Sequence, residues 1–386
     1  MTRGVFLHIQ NAPKEKTMAT SLAQTKQSMQ TIKTDTKTVA VVGATGYTGQ
    51  ELLRLLMQHP KVQVKRAVSH SHGDKSLASV YPSFQKATDL ILQDVDLETL
   101  SRTVDLIFLA LPHGHAANKL NADILKNCKV IDLGGDFRLK SSKDYETWYG
   151  FKHPHPELLS QAVYGLPELN RAAVKKASLI ANPGCYATCS ILTLAPLLMA
   201  KAIDPKTIII DAKSAVSGAG RSTDLGTHFN ECNESIKAYK VASHRHTPEI
   251  EQVLSAYSET QFCTSFTPHL IPMNRGILIT AYASLLKKMT SQEIFDIYKS
   301  FYGDELFIRL FTPDDAVYKH PETRWVKGSN YCDIGLTVDQ RTDRVIAIGA
   351  IDNLVKGAAG QAIQNMNLIF AWPENSGLMQ TPIFPV

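Results

Sequence analysis

Val39-Ala40-Val41-Val42-Gly43-Ala44-Thr45-Gly46-Tyr47-Thr48-Gly49 is the stretch that decides the fold. Its four leading apolar residues suit a strand buried on both faces of a parallel sheet, and Gln50 to Gln58 sets Leu52, Leu53, Leu55 and Leu56 at helical spacing. Strand, glycine turn and helix make one βα unit, and the unpaired N–H groups at such a helix start favour an anion. Gly43 would permit the tight turn, Gly46 a close approach of backbone to a pyrophosphate, and Gly49 close packing of helix on sheet. Thr45, Tyr47 and Thr48 belong to the same candidate cofactor-binding turn. The glycines are three apart each time, unlike the GxGxxG spacing, and a purely structural turn would carry the same residues.

Outward from this unit, Val62 to Val68, Val104 to Leu109 and Val130 to Leu133 read as further strands with helical segments between them. That rhythm is α/β: a Rossmann-type sheet binding a dinucleotide. No Asp or Glu follows the second strand where a ribose 2′-OH needs an acceptor, whereas Ser69, Ser71 and Lys75 can donate to a 2′-phosphate. The loop therefore favours NADPH over NADH, although an ordinary polar surface loop would look alike. In Ala110-Leu111-Pro112-His113-Gly114-His115, Pro112 and Gly114 would let the backbone skirt the cofactor, while His113 and His115 also suit a plain helix start. Arg138, in Asp132-Leu133-Gly134-Gly135-Asp136-Phe137-Arg138-Leu139, can meet an anion or pair with Asp136.

A second site lies in Asn182-Pro183-Gly184-Cys185-Tyr186-Ala187-Thr188, between the strand Leu179 to Ala181 and the apolar helical run Ala187 to Ala200. Cys185 on that turn is a candidate nucleophile, since a helix N-terminus favours the thiolate and lowers the pKa. Cys189 reads as core, and Cys128, Cys232, Cys263 and Cys332 lack ligand-spaced partners, so no metal is assigned. Thr207 to Asp211 leads into Lys213-Ser214-Ala215-Val216-Ser217-Gly218-Ala219-Gly220-Arg221, a small-residue loop suited to an anionic substrate group through Lys213, Ser217 and Arg221. Ser243-His244-Arg245-His246-Thr247-Pro248-Glu249 then supplies a base in His246, a cation in Arg245 and an orienting carboxylate in Glu249, ahead of a helix expected after Thr247.

The 386 residues, 44% of them apolar, supply two cores. The net charge of +5 is scattered and not interleaved with aromatics, which argues against nucleic acid, and no charge-free run reaches membrane length. Six unpatterned cysteines fit reduced thiols in the cytoplasm. Residues 1–37 read as a disordered extension; they are poor in acids, which admits organelle targeting, yet lack an Arg-rich face. A thiolate attacks an acyl phosphate because phosphate leaves well, and the thioester accepts hydride where a carboxylate does not. A cysteine hydrolase would use the same Cys/His pair without a nucleotide, and a noncatalytic cofactor-binding protein would need neither residue.

Six segments in order between Thr38 and Trp372 carry a family likeness. They are Gly43 to Gly49, Leu111 to Gly114, Asp132 to Leu139, Tyr164-Gly165-Leu166-Pro167-Glu168, Asn182 to Thr188 and Ser243 to Glu249. The chain resembles the N-acetyl-gamma-glutamyl-phosphate reductases, the arginine-biosynthesis branch of the aspartate-semialdehyde dehydrogenase superfamily. The resemblance implies NADPH-dependent, reversible reduction of N-acetyl-L-glutamyl 5-phosphate to the 5-semialdehyde with release of phosphate. It implies Cys185 as nucleophile, His246 as acid/base, and Asn353 and Gly357 near the nicotinamide. It also implies a nucleotide domain of residues 38–184 completed by residues 354–386, with a helix over Leu354 to Phe370. Residues 185–353 would form an α+β catalytic domain with a mixed sheet, joining a homodimer or homotetramer. Close relatives act on aminoadipyl phosphate or on substrates tethered to a small acidic carrier protein, and no side chain in the sequence separates these substrates.

Overall fold

The computed structural model describes residues 36–258, 260–312 and 320–385. Most of the amino-terminal extension therefore lies outside the described residues, and Lys37, assigned to it from sequence, instead opens a strand. That strand, β1 (Lys37–Val42), is buried from Val39 onward and pairs in parallel with β2 (Val62–Val68) and β4 (Leu106–Leu109). With β3 (Leu92–Gln93), β5 (Lys129–Asp132), β6 (Val163–Tyr164) and β7 (Leu179–Ala181) it forms a wholly parallel sheet in the order β3-β2-β1-β4-β5-β7-β6. The order reverses on either side of β1, which puts a crevice at the carboxyl ends of β1 and β4, the place where open α/β sheets take ligands.

A second, mixed sheet follows: β8 (Ile209–Ala215), β9 (Lys237–Ala238), β10 (Ser265–Ile271), β11 (Ile277–Ser284), β12 (Ile308–Phe311), β13 (Cys332–Asp339) and β14 (Arg344–Ile351). Its order is β12-β13-β14-β11-β8-β10-β9. Strict alternation in β11 sends Ile277, Ile279, Ala281 and Ala283 into the core, leaving Leu278, Thr280 and Tyr282 half-buried on the other face.

The buried face receives α2 (Cys185–Met199), which follows α1 (Tyr47–Leu56) as the second long helix. Apolar on nearly every side, α2 is enclosed by β11, β14, α3 (His246–Ser258) and α4 (Ser291–Tyr302). Pro196 inside it has no N–H to give Leu192, and the Leu192 carbonyl accepts from the Tyr302 hydroxyl at 2.9 Å instead. The neighbouring Thr193 carbonyl takes the Tyr298 hydroxyl.

The chain returns to the first sheet after β14. The expected helix over Leu354 to Phe370 is two pieces, a π-helical turn at Val355–Ala359 and then α5 (Gly360–Ile369). Val355, Ala359, Ala362, Ile363 and Met366 pack with Leu52, Leu55 and Phe108 in the core of the parallel sheet.

Candidate active site

The glycine turn stands at the crevice. Gly43 has φ +83°, and a Cβ there would lie 2.2 Å from the Ala110 carbonyl oxygen. A Cβ on Gly49 would lie 2.1 Å from the Gly43 oxygen, whereas one on Gly46 would make only an ordinary contact, 3.5 Å from that oxygen. α1 starts at Tyr47 with no side-chain cap and no acid in its first turn, so its N-terminal N–H groups are available to an anion. At the end of β2, Ser69 Oγ is 3.0 Å from Thr45 Oγ1, and Ser71 and the exposed Lys75 follow. Hydroxyls, a lysine and an uncapped helix start are a donor set that fits a phosphorylated dinucleotide. Asp94, beyond β3, reaches this loop and meets His70 Nδ1 at 2.8 Å; a two-residue strand gave the sequence no sign of it.

Cys185 is not on the turn but is the first residue of α2, with Gly184 as its cap. The expected fall in its pKa is reversed. Burial pushes the thiol up to about 11, against the pull of the Arg138 charge and of the Tyr186 and Cys185 N–H groups, while Glu249 pushes further upward. A helix terminus acts within one turn and is modest, whereas desolvation here acts on the thiolate itself.

His246 opens α3, two residues earlier than the sequence suggested. A Cβ on Gly184 would lie 2.2 Å from His246 Nε2, so the glycine before the nucleophile is what admits the imidazole. Arg138 Nη1 stands 3.3 Å from the same Nε2, and a guanidinium can only donate. Nε2 thus carries the lone pair and Nδ1 the proton. Burial, reinforced by the His244, Arg138 and His113 positions, holds His246 well below the usual histidine range. The pair at rest is a thiol and a neutral imidazole, an acid and a base.

Glu249 is fully buried and does not face an open site. Its Oε1 accepts from the Gly184 N–H and the Tyr164 hydroxyl, both at 2.8 Å, and its Oε2 lies 3.4 Å from Arg138 Nη1. Arg138 does not pair with Asp136. Its Nε donates to the Asn182 carbonyl at 2.8 Å and its Nη2 to the Leu133 carbonyl at 3.0 Å, tying together the exits of β5 and β7. Asp136 instead accepts from Gly114 and Ala117 N–H, which fastens the Pro112–Gly114 loop, and His113 Nδ1 accepts from Gly135 N–H.

The remaining sequence candidates divide. Gly357, in the π turn, comes so close to the nucleophile that a Cβ there would lie 2.7 Å from Cys185 Cβ. Asn353 accepts from Gly276 N–H at 2.8 Å and donates to Ser217 Oγ at 2.9 Å, closing the loop after β8 over the same region. Arg245 is half-buried beside Arg138 and His246, with its guanidinium 5.7 Å from the Tyr149 ring centre. Lys213 is elsewhere: it alternates onto the half-buried face of the mixed sheet, away from α2, and binds Asp211 at 2.6 Å. Arg221 crosses to the glycine turn and binds the Thr45 carbonyl at 3.1 Å. Cys332, read as isolated, is buried with Cys189 in the core of the mixed sheet. A cleft of about 1130 Å³ opens between α1 and residues 216–233, walled by Tyr47, Ser217, Arg221, Met273 and Leu354. Tyr164, on β6, and Asn182, after β7, were missed as site residues because only the pairing of those strands brings them together, and Tyr149 was missed because it ends a separate helix that folds back onto His113 and Arg245.

Comparison with known proteins places this arrangement. The family model described as semialdehyde dehydrogenase, NAD binding domain, matches residues 38–177, and that described as semialdehyde dehydrogenase, dimerisation domain, matches residues 185–353. The same fold occurs in aspartate semialdehyde dehydrogenase II of Vibrio cholerae, solved with ASA (TM-score 0.68, 16% identity, 88% of this chain and 99% of that one). It occurs also in aspartate semialdehyde dehydrogenase of Candida albicans, solved with NADP (TM-score 0.61, 17% identity, 88% and 99%). N-acetyl-gamma-glutamyl-phosphate reductase of Campylobacter jejuni subsp. jejuni is 54% identical over 88% of this chain and 97% of its own length. That of Lachnoclostridium phytofermentans is 50% identical over 90% and 99%. The chain belongs to the N-acetyl-gamma-glutamyl-phosphate reductase family, within the semialdehyde dehydrogenases.

Proposed function

We propose that the protein reduces N-acetyl-L-glutamyl 5-phosphate to N-acetyl-L-glutamate 5-semialdehyde and phosphate, reversibly and with NADPH. The observation that carries this reading is the juxtaposition of Cys185, a neutral His246 across Gly184, and an uncapped glycine-turn helix start in one chain. His246 Nε2 takes the Cys185 proton as Sγ attacks the acyl carbon; the C–O bond to phosphate breaks and a thioester remains. A dinucleotide held at the Gly43–Gly49 turn and the start of α1 would supply the hydride for reduction of this thioester. His246 serves again as the thiohemiacetal collapses, and Sγ leaves as the aldehyde forms. The first-turn N–H groups of α2 stand where a carbonyl oxygen gathers charge, and Arg245 is the cation open to the substrate's anionic groups. Glu249 and Arg138 act from behind, through Gly184 and His246.

In this reading residues 38–184 with 354–386 hold the cofactor through Gly43 to Gly49, Ser69, Ser71, Lys75, Pro112 and Gly114. Residues 185–353 carry the catalysis and the self-association of a homodimer or homotetramer, with the half-buried face of the mixed sheet as the contact. Among the described residues no helix is long and apolar enough to cross a membrane, and we place the enzyme in the cytoplasm. The purified protein with N-acetylglutamate semialdehyde, phosphate and NADP⁺ should form NADPH, read at 340 nm, with turnover beyond the first equivalent only when phosphate is present. Activity confined to an aminoadipate or carrier-linked semialdehyde would move the enzyme to another substrate, and phosphate-independent hydrolysis without nucleotide would overturn the reading.

A further inference from the structure

Arg221 is the one sequence-assigned substrate cation that the fold sends to the opposite half of the molecule. It follows Gly220, whose φ of +87° turns the chain after β8 toward the parallel sheet. Its Nη1 donates to the Thr45 carbonyl, midway along the Gly43–Gly49 turn, and to the Tyr81 hydroxyl. The Tyr81 hydroxyl donates to the same Thr45 carbonyl, and the guanidinium stacks 5.0 Å from the Tyr81 ring centre. Arg221 Nε and Nη2 make no hydrogen bond with any described residue, no carboxylate pairs with it, and it forms a wall of the 1130 Å³ cleft beside Tyr47. A carbonyl oxygen and an aromatic face orient a guanidinium without neutralising it. They hold it with donors to spare at the turn whose helix start already draws an anion.

We propose that Arg221 is a phosphate clamp on the dinucleotide, supplied to the glycine turn by the half of the chain that carries the catalytic residues. Its ligand is a phosphoryl group of the cofactor, not the anionic end of the acyl substrate. Because Gly218 and Ser217 precede it in the loop closed by Asn353, the clamp ties arrival of the cofactor to the wall of the catalytic site. The inference rests on the dinucleotide reading above.

The test is titration of the full-length protein and of Arg221→Met and Arg221→Lys with NADPH, NADH and 2′-AMP, followed by ligand fluorescence or calorimetry in the absence of substrate. Loss of charge-assisted bonds should raise the NADPH Kd of Arg221→Met about 10- to 100-fold, with partial recovery in Arg221→Lys and an unchanged melting temperature. NADH weakened with 2′-AMP unaffected assigns the pyrophosphate; 2′-AMP weakened with NADH unaffected assigns the 2′-phosphate. An unchanged NADPH Kd, with a raised KM for semialdehyde or phosphate, would overturn the clamp and return Arg221 to the substrate. Wild-type protein that binds none of the three ligands would overturn the dinucleotide reading itself, and the clamp with it.

Discussion

Cys185 shows how far a residue can be read from its neighbours in sequence. Its reading as the reactive thiol follows from Asn182 to Thr188, but its pKa does not, because the groups that surround it, Gly357, Glu249 and His246, come from segments 61 to 172 residues away. Alkylation of Cys185 by iodoacetamide in the free enzyme, followed by peptide mass spectrometry, should rise about tenfold per pH unit from pH 7 to 9, since the thiolate is a minor species there. The sign is set by the raised pKa; a plateau near neutrality would contradict it. His246, held low, stays neutral throughout and contributes no second inflection. Glu249→Gln separates acidity from alignment: removing a negative charge beside Cys185 should speed its alkylation, while loss of the anchor on Gly184 and Arg138 should lower kcat about 100-fold. A slower alkylation or an undiminished kcat would show that Glu249 does not act through Gly184 and Arg138.

Helices and strands were legible where their pattern is local. The apolar run of β1, the leucine spacing of α1 and the bounds of β7 all appear in the structure within a few residues of their sequence positions. The π turn at Val355–Ala359 was not legible, because its i to i+5 bonds, Gly357 N–H to Asp352 and Ala359 N–H to Leu354, answer to the need to bring Gly357 onto Cys185. The face that Lys213 takes was not legible for a related reason: alternation fixes that it opposes Ala212, but only the sheet order shows which face meets α2. The same logic ties Tyr302 of α4 to α2, through a bond that no local pattern shows. Tyr302→Phe strands the Leu192 carbonyl freed by Pro196, and should cost about 1–3 kcal/mol in urea unfolding with the m-value unchanged. A loss below about 0.5 kcal/mol would mean that the carbonyl has another partner.

At the scale of the whole molecule, two halves meet over one reaction. Arg275 binds Glu51 of α1 at 2.6 Å and lies 3.4 Å from Asp352, and Arg171 joins Glu305 to Glu374, so ion pairs cross between the sheets on both sides of the site. The half-buried face of the mixed sheet, with Tyr282, Ile346 and Ile348, is where the family's dimerisation domain has surface to cover. Ile346→Asp should shift the protein to a monomer in sedimentation velocity, and an unchanged assembly would place the contact elsewhere. The proposed reaction requires that a thioester form on Cys185 beside a cofactor held by the other half. Mixing enzyme with N-acetylglutamate semialdehyde and NADP⁺ in the absence of phosphate tests it most directly, with absorbance and peptide mass read together. We expect one equivalent of NADPH per active site and one N-acetylglutamyl group on Cys185, released when phosphate is added. No burst, or an acyl group on another cysteine, would contradict the account.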